Sequence, residues 1–402
     1  MRRRCQKTLI IKTMPVILTT DLIVFFIIGC IVYFYLGARK APAKQGVWDA
    51  LKGNRLAMIS LAILLLYAGA ALMDSIRWRD QVKDGAGESV KANGNTIYSP
   101  QALSLLDRAF SGMRARVEKT YSAPRAERLY AKESMELPDG AVTRDYPLLK
   151  YPGSHLLGTD RVGNDVLFAA LKGVRTAVVI GAGATAVIIP FAIFFGVIAG
   201  YYGGFIDDVI QYLYTTLASI PGVLLIVAFM LLFGTSGFQG GLISDRLLYL
   251  RVLVPNDRLF WLCLILGITS WTDLCRLIRG ETLKLREMEY VLSAKAFGAP
   301  GMKIIYRHIV PNVMHLVLIT FVLQFSGLVL AEAILSYIGI GVGPEMGSWG
   351  NMVNTARLEL SREPVVWWNL FAAFLFMFGL VLPANIFGDA VRDALDPRLR
   401  FR

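Results

Sequence analysis

Long apolar runs without a charged residue constrain what this chain can fold into. Leu56 to Met73 is a run of 18 such residues and Thr176 to Ala199 a run of 24. At about 1.5 Å per residue, a helix of either length crosses a hydrocarbon core of about 30 Å. The other runs are Val209 to Phe233, Leu259 to Thr272 extended to Ile278, Asn312 to Ala331 and Val365 to Gly388. Because the runs are continuously apolar rather than alternating, they favour helices over a membrane β-barrel. We predict an all-α polytopic membrane protein with six core helices.

A seventh apolar run, Val16 to Leu36, is interrupted by Asp21 near one end. We predict that it forms an extra N-terminal transmembrane helix, because its apolar core is long for a cleaved signal peptide and no small-x-small site follows it. Its orientation stays open. The segment before it and residues 37–55 each contain five basic residues, so the charge of the two flanks does not distinguish them.

The net charge of +12 lies in the segments between the apolar runs and not on one compact basic face. We therefore attribute it to membrane topology rather than to nucleic-acid binding. Seven basic residues between Asp273 and Pro311, and four after Gly388, predict that both segments are cytoplasmic. The predicted organisation is a basic segment with the extra helix (1–55), a first core helix (56–76), an extracytoplasmic "outer segment" (77–172), a transmembrane domain (173–390) that contains a cytoplasmic "coupling loop" (273–311), and a basic cytoplasmic tail (391–402).

The coupling loop predicts a helix, a break and a second short helix. Glu281 to Phe297 are mostly good helix formers, and Gly298 can take the left-handed conformation that ends a helix. Pro300 can then begin the second helix, and Pro311 is expected to end it before the next apolar run.

Apolar residues of this loop predict a surface that contacts something. Val291, Ala294 and Phe297 are expected to point to the cytoplasm together with Gly298. Such a face can lie in a groove on a partner protein, which is a common mode of helix recognition. It can equally pack on the ends of the chain's own helices, and the residues alone leave both alternatives open.

Two residues within the apolar runs are candidates for lining a cavity or a water-filled path. Pro221, followed by Gly222, removes a backbone hydrogen bond in the middle of a long apolar run and predicts a kink or break, which would be a hinge beside a cavity or a plain packing feature. Glu332 is the one carboxylate between Asn312 and Val342. Because a charge at membrane depth is costly, we expect Glu332 to face protein or a water-filled path, with a structural hydrogen bond as the alternative.

The outer segment holds a second motif and one predicted helix. Asp160 and Asp165 lack a surrounding set of metal ligands, so we expect them to fix the start of the Thr176 run. Ser99-Pro100 is expected to begin a helix with an apolar stripe from Leu103 to Val117, which would pack on neighbouring helices or contact an external protein.

Several kinds of chemistry have no support in the sequence. The three histidines, His155, His308 and His315, are scattered and give no metal site. No G-x-x-x-x-G-K-[ST] motif occurs, so ATP binding through a P-loop is excluded. No G-x-S-x-G or H-E-x-x-H motif occurs either, and nothing indicates an enzyme.

Val291 to Gly298, with Ile309 and Pro311, resembles the "EAA" loop of permease subunits of bacterial ABC importers. Seven segments resemble, in the family's order, the second permease of the oligopeptide, dipeptide and nickel group. They are HLLGTDRVGNDV from His155, AGYYGGFIDDV from Ala199, RGETL from Arg279, RHIVPN from Arg307, LAEAILSYIGIGV from Leu330, SWGNM from Ser348 and GDAVRDALDPRLR from Gly388. The chain departs from the pattern at Leu292 and Ser293, where the family has Glu and Ala, and at Asn164, where it has Arg.

The resemblance implies a type I importer core of six helices whose coupling loop docks on an ATP-hydrolysing subunit. The implied contact residues are Glu289, Tyr290, Val291, Leu292, Ser293, Ala294, Lys295, Phe297, Gly298, Met302, Arg307 and Pro311. The implied outer motif consists of Gly158, Thr159, Asp160, Gly163 and Asp165. The implied partners are a homologous permease, two ATP-binding subunits that hold ATP and Mg²⁺, an extracytoplasmic solute-binding protein and the lipid bilayer. No cofactor is expected in this chain.

The function that follows is half of the translocation path of an ATP-driven importer in the bacterial inner membrane. Peptide is the expected cargo, with nickel or another solute as an alternative. An ion-coupled carrier that acts alone is a rival from another class, because Pro221 and Glu332 resemble the broken helices and buried carboxylates of such carriers. Against it stand the absence of a visible inverted repeat and the presence of the coupling loop. A membrane enzyme is the third possibility, and the sequence shows no nucleophile and base for it.

Overall fold

The computed structural model describes residues 13–16, 18, 20–26, 29, 42–82, 91–92, 95–99, 101–136, 142–234 and 258–395. Over this part of the chain the fold is a helical bundle with short strands at one end. The helices are α1 (20–26), α2 (Pro42–Gly53), α3 (Arg55–Ser75), α4 (Leu105–Ala109), α5 (Ser111–Ala115), α6 (Val166–Tyr202), α7 (Gly204–Ser219), α8 (Gly222–Phe229), α9 (Arg258–Thr269), α10 (Thr272–Arg286), α11 (Glu289–Ala296), α12 (Gly301–Ile304), α13 (Val310–Tyr337), α14 (Trp349–Glu359) and α15 (Trp368–Leu395). The strands are β1 (Thr13–Val16), β2 (Arg77–Asp80), β3 (Lys91–Ala92), β4 (Asn95–Thr96), β5 (Leu103–Ser104), β6 (Glu133–Glu136) and β7 (Val142–Asp145).

Four helices in the described ranges are long and apolar enough to cross a membrane alone: α3, α6, the Gly301–Tyr337 helix that ends with α13, and α15. Two bent pairs can each supply one more span. The α7–α8 pair bends by 90° and the α9–α10 pair by 40°. These six elements coincide with the six predicted core runs. The prediction of an all-α polytopic membrane protein is confirmed.

Helix α6 is the centre of the bundle and packs against α3, α9, α10 and α13. Its glycines allow neighbouring helices to approach closely. A Cβ atom on Gly196 would lie 2.8 Å from the carbonyl oxygen of Cys275, and one on Gly200 would lie 2.6 Å from the Cβ of Thr282. Inside a membrane, helices gain no hydrophobic driving force from association. Small residues stabilise a helix crossing there because they allow close packing. The crossing of α6 and α10 therefore depends on these two glycines.

The predicted break at Pro221 is present. Helix α7 ends at Ser219, and Pro221 precedes the first residue of α8 with ψ of 120°, outside the helical region. Proline has no N–H to continue the hydrogen-bond ladder, so the chain changes direction at this point. The result is an apolar span in two halves rather than one straight helix.

The predicted single helix from Glu281 to Phe297 is wrong. Helix α10 ends at Arg286, Met288 is extended with ψ of 142°, and α11 begins at Glu289. No proline or glycine causes this break. Val291 is 1% exposed and packed in the main core, so tertiary packing has overridden helix propensity, which is a weak preference.

Pro311 does not end the second short helix, contrary to the prediction. Helix α12 continues through a π-helical turn, Ile305–Ile309, into α13, and Pro311 lies in the first turn of α13. The proline is accommodated there because the π-helical turn before it already interrupts the regular ladder of hydrogen bonds four residues apart.

The first described residues of the N-terminal segment form a strand. β1 pairs antiparallel with β2, with Val16 opposite Arg77, so the predicted helix start at Val16 is wrong. Residues 20–26 are helical, and most of the rest of the predicted extra helix lies outside the described residues. The pairing holds β1 at the end of the bundle that carries the outer segment.

The outer segment contains short elements instead of the predicted long helix. β5 pairs with β2, so the sheet order is β1-β2-β5, and β3-β4 and β6-β7 are separate pairs. Leu103 is in a strand, and Ser104 rather than Ser99 caps the helix that follows. Ser104 and Asp107 form a reciprocal capping box, which fixes the helix start because it pairs two backbone donors.

Candidate coupling site

The coupling loop presents an outward apolar surface at one end of the bundle. Leu292, Phe297, Met302 and Tyr306 are exposed, and Phe297 is 91% exposed. Leaving a Phe side chain in water forgoes about 1.5–3 kcal/mol of burial. The structure therefore has exposed apolar side chains on α11, α12 and the turns after each of them, and we call this surface the docking surface.

The opposite side of α11 packs on the chain itself. Val291 is buried and Ala294 is half-buried against the main core. The expectation that both point to the cytoplasm with Phe297 is therefore corrected for Val291. Packing on the chain's own helices therefore holds for this side of α11, whereas docking of the exposed side on a partner stays a prediction.

Gly298 ends α11 in the left-handed conformation that the sequence predicts. Its φ is +77°, its N–H donates to the carbonyl of Lys295, and the N–H of Ala299 donates to the carbonyl of Ala294. These two bonds form a Schellman motif, which satisfies the last carbonyls of the helix. The turn places Phe297 at the tip of the docking surface.

The other predicted loop residues lie around this surface. Those that are exposed are Glu289, Tyr290, Ser293, Lys295, Arg307 and Pro311. Tyr290 also connects α11 to α13, because its hydroxyl accepts a hydrogen bond from the Asn312 amide at 3.2 Å. The sequence reasoning missed Tyr306, which is 80% exposed and lies in the π-helical turn. The apolar residues Ile304 and Ile305 beside it were the available sequence signal for a further apolar contact residue.

Two arginines of α10 hold the start of the coupling loop to the rest of the bundle. Arg279 donates two hydrogen bonds to Asp207 in the first turn of α7. Arg286 approaches the carbonyl oxygens of Gly200 and Tyr201 at the end of α6, at 3.4 and 3.5 Å. Both contacts join segments that are more than 70 residues apart, and the sequence analysis did not predict them.

Glu332 is enclosed within the chain. It is 2% exposed and accepts hydrogen bonds from the hydroxyls of Ser336 and Ser348, at 2.7 and 2.6 Å. The expectation that it faces a water-filled path is corrected by these contacts, which fit the structural alternative. Ser348 also caps α14, so Glu332 helps to fix the position of that helix.

The outer motif fixes the start of α6, as expected. Asp165 caps the helix through the N–H of Phe168, and Asp160 accepts the N–H groups of Val162 and Asn164. Thr159 is buried and accepts a hydrogen bond from the N–H of Ser122 at 2.7 Å.

Gly158 and Gly163 have positive φ, and a Cβ on either would clash with the backbone of the outer segment. The motif is thus a close junction between the outer segment and α6.

A buried histidine adds to this junction and was missed. His155 contacts Asp165 at 3.0 Å through Nδ1, and its Nε2 lies 3.8 Å from Glu118. Glu118 in turn accepts the N–H groups of Lys150 and Tyr151. Among the residues that the structure describes, these three side chains do not form a group with the arrangement of a metal site.

Comparison with known proteins decides the identity of this bundle. Residues 192–401 match the family described as binding-protein-dependent transport system inner membrane component. The chain belongs to this family. The match begins inside α6 and includes Pro221, the whole coupling loop and Glu332, whereas the outer motif lies before it.

Individual members of the family confirm the resemblance noted in the sequence. The oligopeptide transport system permease protein OppC of Bacillus subtilis is 31% identical over 246 residues, which is 61% of this chain and 72% of the relative. The dipeptide transport system permease protein DppC of the same organism is 30% identical over 61% of this chain and 69% of the relative. The glutathione transport system permease protein GsiD of Pectobacterium atrosepticum is 32% identical over 61% and 74%. The chain is a multi-pass permease subunit of an ABC importer.

Proposed function

We propose that this chain is the second, C-type permease of an ATP-driven peptide importer and that it receives mechanical work at the docking surface. The observation that carries the proposal is the exposed apolar surface formed by Leu292, Phe297, Met302 and Tyr306. It lies on a helix whose other side is anchored by Val291. An exposed apolar patch at a fixed helix indicates a protein contact.

The proposed partners follow from the family. A homologous permease forms the other half of the path, two ATP-binding subunits dock below, and an extracytoplasmic solute-binding protein delivers cargo. ATP and Mg²⁺ bind to the ATP-binding subunits, and this chain holds no cofactor and performs no chemistry. Docking relies on packing more than charge, because Leu292 and Ser293 replace the Glu and Ala of the family pattern.

Peptide is the proposed cargo. The relatives are named for oligopeptide, dipeptide and glutathione transport, and all three cargoes contain peptide bonds. Import of nickel or another solute is the alternative within the same class. Specificity is expected to reside mostly in the solute-binding protein, so binding of peptides of graded length to that protein tests the cargo directly.

The proposed location is the bacterial inner membrane, with the C-terminus in the cytoplasm. The seven basic residues of the coupling loop support this orientation, because positive charge is retained on the cytoplasmic side. With that orientation, β1 and the outer segment lie outside. The pairing of β1 with β2 supports an N-terminal segment that starts outside and enters the membrane through α1.

The decisive experiment combines copurification with uptake. The chain is expressed with its partner permease and ATP-binding subunits, purified, and placed in liposomes with the loaded solute-binding protein. Leu292→Ala with Phe297→Ala should reduce recovery of the ATP-binding subunits and ATP-dependent uptake. Leu148→Ala, at a residue that is 72% exposed in the outer segment, is the matched control and should change neither. Uptake by the chain alone, without ATP, would instead support an ion-coupled carrier.

A further inference from the structure

The contact between α10 and α7 is a two-point ionic contact. The Nε of Arg279 lies 2.5 Å from Oδ1 of Asp207, and its Nη2 lies 2.7 Å from Oδ2. A planar guanidinium that donates two parallel bonds to one carboxylate fixes orientation as well as distance. Lysine cannot reproduce this geometry, because its ammonium is a point charge on a flexible stem.

A second arginine of α10 reaches the same helix. Arg276, one helical turn before Arg279, lies over the ring of Tyr214 at 5.1 Å, and Tyr214 is 5% exposed. Residues three apart share one side of a helix. Helix α10 therefore holds α7 through two adjacent contacts along one side.

Helix α10 is also fixed to α6 and to the docking surface. The close crossings at Gly196 and Gly200 leave no room for a Cβ, so α10 and α6 cannot slide without clashes. After α10, only two residues, Glu287 and the extended Met288, lead to α11. A displacement of the docking surface is therefore passed directly to α10.

The chain changes direction sharply at both ends of helix α7. Gly203 and Gly204 join it to α6 with φ of +67° and +57°, and Pro221 joins it to α8 at a bend of 90°. Much of its surface is free of the chain: Phe205 is 81% exposed and Tyr212 is 75% exposed. The buried residues of α7 are Asp207, Ile210 and Tyr214. Two of these three are the residues that α10 holds.

From this arrangement we infer that the ion pair of Asp207 and Arg279 makes α7 move with α10, so that a displacement of the docking surface turns the span about Pro221. Arg279 and Asp207 are positioning residues, since each acts through the helix that carries it. The inference rests on the proposed function, because it assumes that the docking surface receives the displacement. It adds the path by which that displacement reaches the broken span.

The test uses the reconstituted importer with Arg279→Gln, Arg279→Lys and the swapped pair Asp207→Arg with Arg279→Asp. The matched control is Lys284→Gln, because Lys284 pairs with Glu281 at 3.1 Å on the same helix but at the surface. The readouts are recovery of the ATP-binding subunits, ATP hydrolysis, and cargo imported per ATP hydrolysed. A spin-label pair at Tyr212 and Leu277 reports the distance between α7 and α10.

Arg279→Gln should keep the ATP-binding subunits and hydrolyse ATP, and it should import about tenfold less cargo per ATP, which is a typical size for a lost coupling. The Tyr212–Leu277 distance should stay constant during turnover in the wild type and spread in this variant. The cargo imported per ATP by Arg279→Lys should fall between the values of the wild type and Arg279→Gln. The swapped pair should recover part of the wild-type ratio, and Lys284→Gln should match the wild type. A role in stability alone would lower the amount of importer without changing cargo per ATP.

The proposal is overturned if the assembled Arg279→Gln variant imports as much cargo per ATP as the wild type. It is also overturned if the Tyr212–Leu277 distance in this variant stays as constant during turnover as in the wild type. If Arg279→Gln does not assemble, Arg279→Lys decides, and a wild-type ratio there overturns the proposal. Failure of the proposed function looks different, because the wild-type chain itself would then not recover the ATP-binding subunits or would import without ATP.

Discussion

The carboxylate of Asp21 accepts hydrogen bonds from the guanidinium of Arg175 in a site where both side chains are buried. The Arg175 Nε to Asp21 Oδ1 distance is 3.0 Å, and Thr20 accepts a further bond from Nη2 at 2.8 Å. The pair joins α1, from the N-terminal segment, to α6. It therefore attaches a segment outside the family match to the centre of the bundle.

Asp21→Asn should destabilise the protein strongly, because it leaves the Arg175 charge buried without a counter-charge. Removal of one partner of a buried pair costs about 3–5 kcal/mol. Thermal unfolding of the detergent-solubilised importer measures the effect. Asp49→Asn is the matched control, since Asp49 and Lys52 form an exposed pair at 4.0 Å, for which about 0–1 kcal/mol is expected. Equal stability of the two variants would contradict the assignment of Asp21 as an anchor.

Gly298→Ala should weaken assembly with the ATP-binding subunits. A residue with a Cβ pays about 1–2 kcal/mol in the left-handed conformation, which corresponds to about a 5- to 30-fold loss of the correctly folded turn. Recovery of the ATP-binding subunits from a fixed amount of permease measures it. Gly280→Ala is the same change in α10, where a Cβ meets nothing within 4 Å, and it should have no such effect. If both variants assemble equally well, the conformation at 298 is not required.

Asp107 should contribute stability that depends on pH. Burial alone would raise its pKa, but hydrogen bonds from Lys172 and Ser104 and the positive charge of Lys172 outweigh burial and lower the pKa below its ordinary value of 3.8. Because the folded-state pKa is depressed, the stabilisation is complete above the ordinary pKa and is lost as pH falls through the folded-state pKa.

The wild type should therefore be more stable than Asp107→Asn at pH 7 by about 1–3 kcal/mol, the worth of hydrogen bonds to a charged group. The difference should shrink as the pH falls below about 3.8. Thermal unfolding midpoints of both proteins across this range give the comparison. Asp80→Asn, in the exposed pair with Arg108, should show a much smaller difference at pH 7. A difference that grows on acidification would show that the sign is wrong.

Glu332→Gln should import cargo at close to the wild-type rate. The amide oxygen of Gln can still accept hydrogen bonds from Ser336 and Ser348, so the position of α14 is preserved. Glu332→Ala leaves these buried hydroxyls without an acceptor and should destabilise the protein by about 1–3 kcal/mol. Uptake and thermal unfolding are measured on the same preparations. A fully assembled Glu332→Gln variant that fails to import would return this residue to the transport path.

The sequence predicts the features of this fold that depend on local composition. Uncharged runs predict the spans, Pro221 predicts the broken span, and Gly298 predicts the end of α11. The sequence does not predict the features that depend on contacts between residues far apart in the chain. The extended residue at Met288 follows from the burial of Val291, and the ion pair of Asp207 with Arg279 joins positions 72 residues apart.

The coupling site is predicted in its place along the chain and only partly in its orientation. The loop residues were identified as one group, because the family pattern gathers them. The division between the buried Val291 and the exposed Phe297 requires the helix to be placed against its neighbours. Strand β1 was missed for a related reason, since its partner β2 is more than 60 residues away.

Helix α6 has 37 residues, so it is about 55 Å long and extends well past a hydrocarbon layer of about 30 Å. Its two ends serve separate tasks: Lys172 and Arg175, near its start, hold α3 and α1, and Gly196 and Gly200, near its end, seat α10. In evolution, the outer segment at one end of α6 can therefore be lengthened or altered without a change in the contacts with α10 at the opposite end.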